Sequence, residues 1–115
     1  MRYVCFYKAE ERNEPPSERE MAAMGALIQE MNQAGVLLAT GGCAPSAKGF
    51  RARIDAGKIT VTDGPFPETK ELLCGYCLME VKSKAEALEW TKRFLNVVGR
   101  GESEVRVIYE APRDA

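Results

Sequence analysis

Two stretches of this chain are apolar on both faces of a strand, and they constrain the fold more than any other feature. Arg2 to Lys8 places Val4 and Phe6 on one face and Tyr3, Cys5 and Tyr7 on the other. Leu72 to Val81 does the same, with Cys74, Tyr76 and Leu78 set against Cys77, Met79 and Val81. Side chains alternate along a strand, so a strand apolar on both faces has to be covered on both. One layer of helices covers only one.

The helix signals supply one such layer. Ser17-Glu18-Arg19-Glu20 and Ser83-Lys84-Ala85-Glu86 read as capping boxes, the serine hydroxyl on the N3 amide and the glutamate reaching back. After the first, Met21, Met24, Ile28 and Met31 form one apolar stripe, read as core, and Gly35 ends the helix. After the second come Leu88, Thr91 and Leu95, with Trp90 and Phe94 alongside. Val36 to Thr40 reads as a strand stopped by Gly41-Gly42. A hairpin comes next. Phe50, Ala52 and Ile54 alternate with Arg51 and Arg53, and Ile59 and Val61 with Thr60 and Thr62. Asp55-Ala56-Gly57 suits a three-residue turn with glycine in the left-handed position. Gly99-Arg100-Gly101 reads as a turn before a last strand, Glu104 to Glu110, with Val105, Val107 and Tyr109 on one face.

The order is β-α-β-β-α-β with an inserted hairpin, an α+β fold of the ferredoxin-like kind. Its two helices leave one sheet face bare, and an exposed apolar sheet is a liability. The expectation is a homodimer that buries sheet against sheet. The 115 residues fit one domain, residues 1–111, followed by a loose tail at 112–115.

Composition prunes the chemistry. There is no histidine, which removes Ser/His, Cys/His and His-ligated metal sites. With 16 Lys+Arg against 17 Asp+Glu, no basic surface is available for a phosphate backbone, so nucleic acid is not an expected partner. Gly75-Tyr76 sits where an RNA-recognition motif places a glycine and an aromatic, but Leu78 and Val81 occupy its later aromatic positions. No stretch approaches the ~18 apolar residues of a membrane span, and Tyr3 to Tyr7 is too short for a signal peptide. The expected location is the cytoplasm, with Cys5, Cys43, Cys74 and Cys77 reduced. Cys74 and Cys77 have CxxC spacing inside a strand, where residues three apart face opposite ways, so they read as core thiols rather than a redox or zinc pair. Gly42 to Lys48 lacks the second glycine and the Ser/Thr of a phosphate loop. No cofactor and no metal are expected.

Asp63-Gly64-Pro65-Phe66-Pro67-Glu68-Thr69-Lys70-Glu71 is the most informative segment. Gly64 permits a positive φ after a strand, and Pro65 and Pro67 stiffen the residues beyond it. Asp63 is the candidate catalytic residue, as general base or hydrogen-bond acceptor. Arg51, Arg53, Lys70 and Arg106 are candidates to hold an anionic substrate, Arg doing so bidentately. Tyr3, Tyr7 and Tyr76 are candidate cavity walls, as is Phe66. The plainer reading is that Asp63 caps a turn and the arginines lie on exposed strand faces.

The run DGPFPETKE resembles the signature of the YCII-related family, also called the DGPF or DGPFAETKE family, with Pro67 where alanine is usual. Met1-Arg2-Tyr3-Val4, Ala34-Gly35-Val36-Leu37, Gly75-Tyr76, Glu86 to Trp90 and Glu104-Val105-Arg106 extend the resemblance along the chain. It implies a ferredoxin-like protomer pairing as a dimeric α+β barrel. The wider superfamily includes lactone isomerases and monooxygenases, and relatives often accompany sigma-factor-like regulators. The implied function is therefore binding of a small anionic or ring-derived metabolite in a barrel-mouth cavity, with lyase or isomerase acid–base chemistry. The alternative is a non-catalytic accessory protein of a sigma-factor-type transcription regulator. Active relatives pair an acid with a histidine. Here Val98 stands where a histidine often precedes the glycine, so carboxylate, tyrosine or lysine would have to substitute.

Overall fold

The structure is a computed structural model and describes residues 1–12 and 14–109. The tail expected at 112–115 and the end of the last expected strand, Glu110, lie outside the described residues. The elements are β1 (Arg2–Ala9), α1 (Glu18–Gln33), β2 (Leu37–Gly42), a single 3₁₀ turn (Ser46–Lys48), β3 (Phe50–Asp55), β4 (Lys58–Asp63), β5 (Leu72–Glu80), α2 (Lys84–Val98) and β6 (Glu102–Val107). This is a mixed α+β fold. β2, β5, β1 and β6 form one antiparallel sheet in that order, and β3 and β4 form a separate hairpin.

One sheet face packs under the helices. Tyr3 and Cys5 of β1, Met79 of β5, Leu27 and Met31 of α1 and Ala87 of α2 are buried together with Val36 and Val81. Fully burying Leu27, Met31, Val36, Met79 and Val81 stabilises by about 1.5–3 kcal/mol each. The other face is bare in the protomer. There Val4 lies opposite Leu78 and Phe6 opposite Tyr76, and Phe6, Tyr76 and Leu73 are exposed.

The helix ends agree with their caps, with one change. Ser17 and Ser83 Oγ accept from the Glu20 and Glu86 amides, each at 3.1 Å. The glutamates do not complete the boxes. Glu20 is taken by Arg12 at 3.1 Å, and Glu86 accepts from the Lys82 amide at 2.7 Å. Arg12 brings Glu20 an ionised partner and a two-oxygen contact, where the amide would offer one neutral donor. Gly35 and Gly99 close the helices with φ of 71° and 72°. Arg93 of α2 pairs with Glu30 of α1.

Three local expectations are corrected. Gly41-Gly42 does not stop β2 but continues it, paired with Tyr76 and Gly75. The Tyr76 ring lies across Gly41, where a Cβ would stand 2.9 Å from the ring's Cε1. The hairpin turn has two residues, not three. Asp55 faces Lys58, and Ala56 and Gly57 both take positive φ, 49° and 79°, the primed geometry that matches strand twist. Finally, Gly64 is not among the positive-φ residues. What keeps it small is its close approach to the 3₁₀ turn.

Candidate functional site

The Asp63–Glu71 loop is tied down from three directions. An added Cβ on Gly64 would lie 1.7 Å from the Ser46 carbonyl oxygen, so only glycine lets the loop cross the 3₁₀ turn. The Gly64 amide donates to Gly49 O at 2.9 Å. Phe66 is buried, its amide donating to Ser46 Oγ at 3.4 Å. Ser46 is itself held by Glu11, which accepts from both its amide and its hydroxyl. Arg51 lies over the Phe66 ring, 3.8 Å from its centroid, and donates to Glu68 Oε1 at 3.3 Å and Thr69 Oγ1 at 3.2 Å. The signature thus closes into a clasp, with Phe66 as its bolt and Arg51 as its lid.

Of the residues singled out around the Asp63–Glu71 loop, the protomer brings together Arg51 and Phe66. Asp63 ends β4 opposite Phe50 and is exposed. Arg53 is exposed opposite Thr60, and Lys70 is exposed beyond the clasp. Arg106 lies on β6, where its Nε donates to Glu104 at 2.8 Å, and Lys8 meets the same carboxylate at 3.0 Å. Those two cations hold the Glu104 carboxyl below the usual range, the Lys8 hydrogen bond contributing most. Tyr3 is buried in the core beneath the helices.

A cavity of about 720 Å³ lies between the sheet and the two helices. Tyr7 and Tyr76 border it; Asp63 and the clasp do not. Its body is apolar, formed by Met24 and Ile28 of α1, Met79 of β5 and Trp90, Phe94 and Val98 of α2. Its polar end gathers Tyr7, Arg12, Glu20 and Arg100. The Tyr7 hydroxyl donates to the Arg100 carbonyl at 2.6 Å, and its ring meets Phe94 edge-on at 5.0 Å. Burial pushes the Tyr7 phenol up, against the pull of the Arg100 charge, so it stays a neutral donor. Arg12 is neutralised by Glu20, while Glu14 stands exposed at the rim. Arg100 differs. Its Nε is buried and has no hydrogen-bond partner among the described residues. A buried donor left without a partner costs about 1–3 kcal/mol, and the guanidinium it belongs to borders the cavity with no ion-pair partner among the described residues.

The opposite wall carries thiols. Strict alternation puts Cys74 and Cys77 on opposite faces, yet both border this cavity. The cause is a register shift. Tyr7 pairs with Gly75 but Lys8 with Leu73, leaving Cys74 as an extra residue in β5. Among the described residues no cluster of three or more His, Cys, Asp or Glu is placed to hold a metal ion, and no helix is long and apolar enough to cross a membrane.

The sequence model of the YCII-related domain matches residues 1–111. The chain belongs to the YCII-related domain family. The resemblance carried by Asp63 to Glu71 is thereby confirmed. An uncharacterized protein of Rhizobium meliloti (strain 1021) is 36% identical over 90 residues, which cover 77% of this chain and 73% of the relative.

In this YCII-related domain Arg100, at the cavity's polar end, reads in the sequence only as part of a turn. The signal is present in the two glycines that bracket it. Gly99 and Gly101 both have positive φ, 72° and 89°, which turns the chain sharply and sets Arg100 in the cavity wall.

The thiols of the YCII-related domain make a pH prediction. Burial first, and the neighbouring Cys5 second, push the Cys77 thiol up to about 11. Burial raises Cys5 as well, partly offset by the neighbouring Ser103 hydroxyl. Both are protonated at neutral pH and poor nucleophiles. An unfolded Cys77 releases its proton near the ordinary 9.0, the folded one near 11, so between these values the folded state holds the extra proton. Stability therefore falls as pH rises through that window. Iodoacetamide at about pH 8 should label exposed Cys43 and spare Cys5 and Cys77 until denaturant is added. The denaturation midpoint should drop between pH 9 and 11, less steeply in Cys77→Ala.

Proposed function

We propose that this YCII-related domain binds a small molecule with a ring or other apolar body and one anionic head, in the cavity between the sheet and the two helices. The observation that carries this reading is Arg100, a cation with no ion-pair partner among the described residues, at the polar end of an otherwise apolar cavity. Pockets of roughly 300–1,000 Å³ with an apolar lining and a few placed polar groups suit such ligands. The ring body lies against Met24, Ile28, Trp90 and Phe94. The head takes Arg100, with the neutral Tyr7 hydroxyl beside it.

The reading includes a cytoplasmic homodimer. The strand order β2-β5-β1-β6 with both helices on one face supports a ferredoxin-like protomer, and the apolar centre of the bare face, Val4, Phe6, Tyr76 and Leu78, flanked by Glu104 and Arg106 of β6, supports its pairing as a dimeric α+β barrel. Arg51 and Phe66 serve the clasp. Acid–base chemistry at Asp63 belongs to the paired state, where a second surface covers a carboxylate exposed in the protomer.

A thermal-shift screen of ring carboxylates, ring phosphates and uncharged ring analogues tests this. Anionic members should raise Tm of the wild type, and their uncharged analogues should not. Arg100→Ala should weaken binding about 10- to 100-fold, the loss of one charge-assisted bond. Asp63→Ala should bind as the wild type does. The reading fails if no anionic member stabilises the wild type, or if Asp63→Ala loses binding while Arg100→Ala keeps it.

A further inference from the structure

The β3–β4 hairpin is amphipathic and stands in water. Ile54 faces Ile59 and Ala52 faces Val61, with Phe50 on the same face, while Arg51, Arg53, Thr60 and Thr62 share the other. Every strand residue is exposed. Phe50, Ile54 and Ile59 are each about two-thirds accessible. A lone two-stranded hairpin is marginal in water, and a strand pair with one apolar face is built to have that face covered. The hairpin leaves the body from a stiff base, through the Gly64–Gly49 bond and the Arg51–Phe66 clasp.

The whole chain shows the same deficit. It exposes 8717 Å², about 2,500 Å² more than the roughly 6,200 Å² expected of a compact 12.7 kDa chain. Its radius of gyration is 16.4 Å, against about 13 Å for a compact chain of this length. Stable, obligate dimers bury on the order of 1,000–2,500 Å² per partner, so the excess is the size of such an interface.

We infer that the hairpin is an exchanged arm: its apolar face packs on the open sheet face of a second copy of this chain. The two surfaces are both on the same chain, and a two-fold axis satisfies both at once. The arm of one protomer lies in the interior between the two facing sheets and covers Val4, Phe6, Tyr76 and Leu78 of its partner, and the partner's arm does the same in return. This rests on the homodimer reading and adds the element that makes the pairing.

Light scattering and sedimentation on the full chain test it. The wild type should run at twice 12.7 kDa. The double variant Ile54→Asp/Ile59→Asp should run as the monomer, with a dissociation constant at least about 100-fold weaker and an unchanged helical circular-dichroism signal. Thr60→Asp, on the polar face, should remain dimeric. Hydrogen exchange at residues 50–63 should slow as wild-type concentration rises, and should not in the double variant. A dimer that the double variant leaves intact overturns the arm but not the pairing. A wild type that is monomeric at every concentration overturns both.

Discussion

Gly101→Ala is expected to remove about 2–5 kcal/mol of folding stability. Two costs add. Gly101 has a φ of 89°, where an L side chain is strained by about 1–2 kcal/mol. Its added Cβ would also stand 2.6 Å from the Lys8 carbonyl oxygen, 2.7 Å from Tyr7 Cε1 and 2.9 Å from the Tyr7 hydroxyl oxygen. Overpacking of this kind costs roughly 1–3 kcal/mol. Gly99→Ala and Gly35→Ala separate the two terms, since both glycines have positive φ but nothing within 4 Å of an added Cβ. They should lose only the strain of about 1–2 kcal/mol each. Denaturant midpoints measured at a common m-value check the ranking. A Gly101→Ala variant no weaker than Gly99→Ala would show that β1 and the turn after α2 are not in close contact. The effect reaches the cavity, because the Tyr7 ring that must move also carries the hydroxyl bonded to Arg100 O. Gly101→Ala should therefore weaken ligand binding more than its stability loss alone implies.

What could be read from the sequence was what depends on neighbours in sequence. The caps at Ser17 and Ser83, the closing glycines Gly35 and Gly99, and the two-faced strands β1 and β5 are all local patterns. Their expected positions and the observed ones agree within the usual fraying of element ends. The departures arise where a distant segment intervenes. Gly41-Gly42 looks like a stop, but the Tyr76 ring from β5 needs the space that side chains would fill. Cys74 joins Cys77 at one cavity because of a register shift against β1, which no spacing within β5 encodes. Gly64 reads as a turn glycine, but the constraint on it is the carbonyl of Ser46, well upstream on the 3₁₀ turn. Arg51 and Phe66 could be named from the sequence as site residues. That they stack on each other depends on the hairpin returning to its base, and Arg100 gained significance only with a cavity that sheet and helices enclose together.

Gly64→Ala should undo the clasp. The atoms an added Cβ would meet are backbone: Ser46 O at 1.7 Å, Ser46 C at 2.6 Å and Ala47 N at 3.3 Å. No flexible side chain can yield, so the loop has to lift from the 3₁₀ turn. Lifting it breaks the Gly64–Gly49 bond and exposes Phe66, which otherwise stacks under Arg51. The hydrogen bond is worth about 0.5–1.5 kcal/mol and the burial of a phenylalanine about 1.5–3 kcal/mol. A loss of about 2–4 kcal/mol is expected from these terms. Because Gly64 does not have positive φ, the loss measures close approach alone. Arg51→Ala removes only the exposed half of the clasp, a cation–π contact and a solvent-exposed ion pair, and should cost about 1 kcal/mol or less. Arg53→Ala, exposed on the same strand but outside the clasp, should stay within about 0.5 kcal/mol. The damage should be regional. The helix–sheet core does not pass through Gly64, so the helical signal persists while the arm loses its fixed base. Hydrogen exchange should then quicken across residues 50–69 and not in β1 or α2, and dimer mass should fall at concentrations where Arg53→Ala remains paired. Equal stability and equal mass for Gly64→Ala and Arg53→Ala would mean that the loop does not rest on the 3₁₀ turn, and the signature would have to be explained by chemistry at Asp63 instead of by the support it gives the hairpin.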